Sequence, residues 1–384
     1  MRLLWLAVIS LLSVCSAMAD SATYDPAGKI VVVGDVHGDY DRFTCVLEQA
    51  GLVNSRLRWT GENATLVQVG DIVDRGPDSR KVIDLLRGLK PMARRKGGNV
   101  FTLLGNHEAM LVAADTRYVH PGEYRAFVDR RSQRRQQQYL SVYIDHIKNT
   151  QPEDSWPDFN ASDYRQGLEQ QFPPGYVEYM QAWSPKGEYG AWAIANPAVL
   201  KLGRLLFVHG GMGPTTQNFT VTELNQWVHS ELATREKAML SDLLNDPDGP
   251  LWYRGHMLNV QTDTAEQERI NDTLQRLQAD HIIMGHTPVA GAIIPRFNNA
   301  VIGVDVGLAS YYGGPCAFLE IDGDQFTAVH NGVRVPLPSA GESEDNYLQQ
   351  VLSLDPDNAM LKRYLQRLAQ PDTDTPAVDP DKLN

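Results

Sequence analysis

Five short motifs hold the residues of this chain best suited to act together: Gly34-Asp35-Val36-His37-Gly38, Gly70-Asp71-Ile72-Val73-Asp74-Arg75-Gly76, Gly105-Asn106-His107-Glu108, His209-Gly210-Gly211 and Gly285-His286-Thr287. They supply Asp35, His37, Asp71, Asn106, His209 and His286, which are oxygen and nitrogen donors, and no sulfur. A mixed set of this kind suits two divalent cations such as Mn, Fe, Zn or Co better than Ca or a thiolate-bound metal. Asp35 and His37 stand two apart in a Gly-bounded loop, so one tight turn presents both to one ion. A carboxylate has two oxygens, so Asp71 can bridge two ions. Water held between two cations gives up a proton readily, and the hydroxide would attack phosphorus in line. Arg75 offers a planar fork for phosphate oxygens. His107 sits beside Asn106 without being needed as a ligand, so it is placed to protonate the leaving oxygen, with Asp74 as its orienting carboxylate.

Each motif also has an ordinary reading by itself. Asp-x-His is a common turn, His-Gly-Gly a common loop, and Asn-His-Glu a helix start capped by Asn. Five in series, each closing an apolar run, are hard to explain in that way. The remaining histidines (His120, His146, His229, His256, His281 and His330) fall outside the motifs and are assigned to structure or surface.

Positioning such residues needs strands that end on one edge. Strands are expected at Lys29–Val33, Thr65–Val69 and Asn99–Leu104. Helices should follow at Asp41–Gln49, Asp78–Leu89 and Ala109–Ala114. Strand then helix at this spacing means an α/β architecture, whose loops converge at the carboxyl ends of neighbouring strands. Residues 115–200 lose that rhythm and read as a helical insertion able to cap the site. Its Arg-rich stretch Arg125–Arg135 is either a solvated helix face or a surface that recruits acidic or phosphorylated substrates. Its rings, Trp156, Trp183, Trp192, Tyr176, Tyr179 and Tyr189, either line the cleft or build a core for the insertion. Arg204–Val208 and His281–Met284 resume the strand pattern and deliver His209 and His286, and Ala300–Val304 and Ala317–Ile321 read as further core strands. Beyond Gly341, Tyr347–Leu368 has helical periodicity and Pro371–Asn384 is an acidic tail with the composition of disorder.

The 384 residues carry a formal net charge of -12, which makes the chain a poor nonspecific ligand for nucleic acid. Residues 1–19 have the form of a secretory signal: Arg2, an apolar run from Leu3 to Val14, and Ala17-Met18-Ala19 as the cleavage site. The expectation is a periplasmic or secreted protein with no stable membrane span after cleavage. A lipoprotein signal at Cys15 is the lesser reading, because Val14 is larger than such a signal prefers. Cys45 and Cys316 remain, one pair at most, and spacing alone does not say whether they meet.

The motifs, unbroken over residues 30–287, resemble those of the phosphoprotein phosphatase branch of the calcineurin-like metallophosphoesterases. Their spacing, with Leu206–Gly211 and Leu251–Gly255, is similar to the bacterial Shewanella-like phosphatases. The resemblance implies a central β-sandwich flanked by helices, within a catalytic domain over 28–340. It implies Asp35, His37 and Asp71 at one metal (Mn, Fe or Zn), and Asp71, Asn106, His209 and His286 at a second. It also implies His107 with Asp74 as the acid pair, and Arg75 and Arg254 as phosphate ligands. Arg254 departs from the eukaryotic pattern, in which the second arginine comes later. Tyr311 or Tyr312 would touch substrate. The activity implied is phosphomonoester hydrolysis on phosphoproteins, with preference for phosphotyrosine. A diadenosine polyphosphate hydrolase and a non-catalytic phosphate-binding scaffold are the competing readings. The first shares the early motifs, and the second would expect a lost ligand or acid.

Overall fold

The structure is a computed structural model that describes residues 26–339 and 341–369. The signal segment 1–19 and the acidic tail Pro371–Asn384 lie outside the described residues. Two mixed sheets with flanking helices form the body.

The first sheet has six strands in the order β11-β10-β9-β1-β2-β3, formed by β1 (Ile30–Val33), β2 (Thr65–Gln68), β3 (Asn99–Thr102), β9 (Ala317–Asp322), β10 (Gln325–His330) and β11 (Val333–Pro336). The second has five, in the order β4-β5-β6-β8-β7: β4 (Val199–Leu202), β5 (Leu205–Val208), β6 (His281–Met284), β7 (Ile294–Arg296) and β8 (Val301–Gly303). Strands β1, β2 and β3 run parallel to one another, and so do β5, β6 and β8. The four residues of β1 are all buried, as a continuous apolar run must be when both faces of a strand are covered. One hydrophobic core includes residues of both sheets, so the expected α/β sandwich is the observed one.

The helices that follow β1, β2 and β3 are α1 (Tyr40–Gln49), α2 (Ser79–Arg94) and α3 (Asn106–Val112). Helix α2 continues past the expected end at Leu89 and through Pro91. Helix α3 starts three residues before the expected Ala109, because the Glu108 carboxylate reaches back to the Gly105 N–H at 2.8 Å and closes the first turn. That early start puts Asn106 and His107 on a helix end and not in a loop.

Residues 115–200 are largely helical: α4 (Pro121–Arg125), α5 (Ser132–Thr150), α6 (Ser162–Gln171), α7 (Tyr176–Ala182) and α8 (Glu188–Ile194), before β4 begins. The Arg-rich stretch is split between α4 and α5. Tyr179, Trp183 and Tyr189 are buried, and Tyr179 packs edge-on against Tyr124 and Phe127, each at 5.2 Å. These three rings therefore build a core and do not line a cleft. The expected helix Tyr347–Leu368 is two, Glu344–Leu354 and Ala359–Leu368, with Pro356 in the break and Asn358 capping the second by accepting from the Leu361 N–H at 2.9 Å. No helix of the described residues is long and apolar enough to cross a membrane.

Candidate active site

Two sets of three parallel strands, one set in each sheet, deliver the residues that follow them to one edge. Asp35 follows β1, Asp71 follows β2, Asn106 and His107 follow β3, His209 follows β5, His286 follows β6, and Asp305 follows β8. All seven are buried. The turns are forced tight: His37, Asp71, Asp74, Arg75 and His286 all have positive φ, between 46° and 69°. Five non-glycine residues in that region amount to stored backbone strain at one locus. The glycines beside them leave room for the donors. A Cβ at Gly105 would stand 2.1 Å from Asp71 Oδ1, and one at Gly285 would stand 2.4 Å from Asp35 Oδ1.

Hydrogen bonds set which imidazole nitrogen faces inward. A carbonyl only accepts, so His37 gives its Nδ1–H to Val73 O (2.9 Å) and His209 gives its Nδ1–H to Val69 O (3.0 Å). The Nε2 of each then carries a lone pair. His209 Nε2 faces Asn106 Oδ1 at 2.8 Å and Asp71 Oδ2 at 3.2 Å, so three lone pairs converge. His37 Nε2 lies 3.9 Å from both Asp35 Oδ2 and Asp71 Oδ2. His286 gives its Nε2–H to Trp252 O at 3.2 Å, which leaves Nδ1 as its donor atom. Convergent lone pairs repel one another unless a cation sits among them, so this donor set fits divalent metal.

Among the described residues, two groups have ligand atoms close enough to hold an ion: His37, Asp71 and His107, and Asp71, His209 and His286. Asp71 belongs to both. Burial pushes its carboxyl up, but His209, His107 and His37 more than reverse this and hold it well below the usual range. Burial drives the His37 imidazole down to about 3, and burial with the nearby Arg254 drives His286 well below its ordinary value. Neutral imidazoles are the form that binds metal.

His107 is arranged differently. Its Nδ1 hydrogen-bonds Asp74 Oδ2 at 2.6 Å, and its Nε2 stands 3.8 Å from Asp71 Oδ2. Burial opposes its charge, but Asp71 and Asp74 hold the imidazole up at about 9. Asp74 is itself raised by burial, partly offset by His107.

Arg75 is clamped from three directions. Its N–H donates to Tyr118 O at 3.0 Å, its guanidinium lies 4.0 Å over the Tyr118 ring and 4.9 Å over that of Tyr311, and Nη1 donates to the Tyr311 hydroxyl at 3.0 Å. Tyr312 lies 5.5 Å from the His37 ring, and Tyr118 lies 5.1 Å from that of His107. Arg254 reaches the same edge, where Nη1 donates to His286 O and Thr287 Oγ1.

Sequence reasoning missed two carboxylates here. Glu108 accepts the N–H groups of Gly105, Asp71, Ile72 and Val73 at 2.8, 3.0, 2.8 and 3.3 Å, and so fixes the loop that carries Asp71. It is the fourth letter of a recognised motif. Asp305 contacts the Asp35 carboxyl, accepts from the Gly307 N–H at 2.9 Å, and is pushed up to about 6 by burial. It follows an expected strand, and that position was its signal.

The description "Calcineurin-like phosphoesterase" belongs to the family model that matches residues 28–290. An uncharacterized protein of Schizosaccharomyces pombe is 32% identical over 322 residues, covering 80% of this chain and 82% of its own. Shewanella-like protein phosphatase 1 of Plasmodium berghei is 26% identical over 312 residues, covering 79% of this chain and 74% of its own. Among solved structures, the cold-active protein-tyrosine phosphatase of a psychrophilic Shewanella species aligns with a TM-score of 0.61 at 25% identity, covering 83% of this chain and 82% of that one.

Proposed function

The chain belongs to the calcineurin-like phosphoesterases, a metal-dependent enzyme family, and from that premise we propose that it is a binuclear phosphomonoesterase acting on phosphoproteins, with phosphotyrosine preferred. The observation that carries the binuclear reading is Asp71, shared by both donor groups. Asp35, whose Oδ2 lies 3.9 Å from His37 Nε2, would join His37 and Asp71 at one ion, with His107 of that group kept by Asp74 as the acid, and Asp71, Asn106, His209 and His286 would hold the other. Two divalent cations there would supply an activated water nucleophile and neutralise charge on the phosphoryl group.

The chain's own residues do the rest. Arg75, held by the rings of Tyr118 and Tyr311, offers its guanidinium to phosphoryl oxygens, and Arg254 offers a second one at the same edge. His107 gives its proton to the leaving oxygen, and Asp74 holds the ring in the orientation for it. Glu108 keeps the Asp71 loop from relaxing.

Support for the phosphotyrosine preference comes from Tyr118, Tyr311 and Tyr312 around Arg75 and His37, because an aryl leaving group packs on rings where a serine side chain does not reach. It comes also from the tyrosine phosphatase structure, while the relative named as a protein phosphatase supports phosphoproteins as the substrate class. The test is kcat/KM on matched peptides that differ only in the phosphorylated residue, with metal counted on the same sample. A phosphoserine peptide turned over as fast as its phosphotyrosine twin removes the preference. Full activity with fewer than two ions per chain removes the binuclear reading. We also propose that the chain is exported and cut after Ala19.

A further inference from the structure

The two cysteines of the described residues lie where α1 meets the first sheet. Cys45 is on α1 and Cys316 directly precedes β9. Cys316 lies against the face of α1 that carries Cys45, near enough for the two thiols to interact. On the same face of α1, Gln49 donates its Nε2–H to Cys45 Sγ at 3.3 Å, and Arg42 brings Nη1 to 3.7 Å from Cys316 Sγ. The loop that ends at Cys316 begins at Gly307 and carries Tyr311 and Tyr312. It is already pinned to the start of α1 at one point, where the Ser310 N–H donates to Asp39 Oδ2 at 2.7 Å.

We propose that Cys45 and Cys316 are a disulfide-forming pair, and that oxidation fixes the 307–316 loop to α1 at its base as Asp39 fixes it at its middle. Arg42, Cys45 and Gln49 share one face of α1, and Cys316 Sγ lies 3.7 Å from Arg42 Nη1 against that face, so the two sulfurs stand on packed neighbouring elements as a disulfide requires. Cys45 is half-buried and Cys316 buried, so Cys45 is the sulfur that an outside reagent reaches. Its thiolate attacks one sulfur of a small disulfide such as oxidised glutathione, and one donor thiol leaves. Cys316, as thiolate, then attacks the Cys45 sulfur of the mixed disulfide, and the second donor thiol leaves. The protein loses two protons and two electrons, and the donor disulfide is reduced to two thiols. Burial and the nearby Cys316 thiol push the Cys45 thiol up to about 12, so its attack is slow near neutral pH.

This inference stands apart from the substrate reading, because it rests on sulfur contacts and loop anchoring alone. The test uses the full chain, incubated with oxidised glutathione or with dithiothreitol, then alkylated, digested and mapped by mass spectrometry. The expected result in the oxidised sample is a peptide linking Cys45 to Cys316, with neither residue labelled. Limited proteolysis of the undigested protein should show slower cutting between Gly307 and Cys316 after oxidation than after reduction. Full labelling of both cysteines after oxidation, or linkage of either one to Cys15, overturns the pairing. Linkage with unchanged cutting overturns the effect on the loop.

Discussion

His107 stands between two carboxylates, with Nδ1 at 2.6 Å from Asp74 Oδ2 and Nε2 at 3.8 Å from Asp71 Oδ2. The two contacts differ in kind. Asp71 also faces His37 and His209, so a cation in either donor group would claim its oxygens, while Asp74 stays paired with His107. With Asp71 claimed, His107 would keep Asp74 as its carboxylate partner, and its Nε2 would be left for the leaving oxygen.

The variant His107→Asn should therefore keep its metal and lose rate, by about a hundred- to ten-thousand-fold on a phosphopeptide. The loss should shrink with an activated phenyl phosphate, whose leaving group needs no proton. Comparing the two substrates on one metal-counted sample checks this. Equal losses on both would mean that His107 is not the acid.

Asp71→Asn should damage the site more than any other single ligand change, because one substitution weakens both donor groups. We expect metal occupancy to fall at both positions, and turnover to fall by more than about a hundred-fold. Elemental analysis of this variant beside His286→Ala is the measurement. Retention of two ions would show that Asp71 bridges nothing.

Glu123 gives a pH dependence away from the donor cluster. Its carboxyl is buried, accepts from the Ser79 N–H at the start of α2 at 3.0 Å, and is pushed from 4.5 up to about 8, mainly by burial. A raised carboxyl favours the protonated folded form. Its stabilising share is complete below 4.5 and is lost as pH climbs through about 8. Glu123→Gln cannot ionise, so the melting temperature of the wild type should fall relative to the variant across that window. Parallel melting curves at all pH values would contradict this.

Export should leave Asp20 as the first residue. N-terminal sequencing of protein from a periplasmic or secreted fraction reads it directly. Finding Met1 on cytosolic protein, or a lipid on Cys15, would contradict the signal reading.

The candidate site was legible because its residues sit in short motifs at strand ends, where backbone turns and not long-range packing decide their direction. His209 and His286 belong to a different sheet from Asp35 and Asp71, yet the same strand-end rule brings all four together. The rule extended to Ala300–Val304 would have found Asp305. The β10–β11 hairpin went unread, although Asn331-Gly332, both with positive φ in the turn, is its signal in the sequence. The burial of Tyr179 and Trp183 was not legible. Helical spacing gives a face, and only the packing of α7 against its neighbours decides whether that face meets solvent, cleft or core.

The donor groups draw on strands from both ends of the chain, from β1 at Ile30 to β6 at His281. A nascent chain that has emerged only as far as the start of α3 therefore presents Asp35, His37, Asp71, Asn106 and His107, and lacks the imidazoles that complete the second group. Metal capture at that group would be a late event in the life of the molecule, open only to a chain synthesised past His286. No amino-terminal fragment that ends before His286 should acquire the full complement.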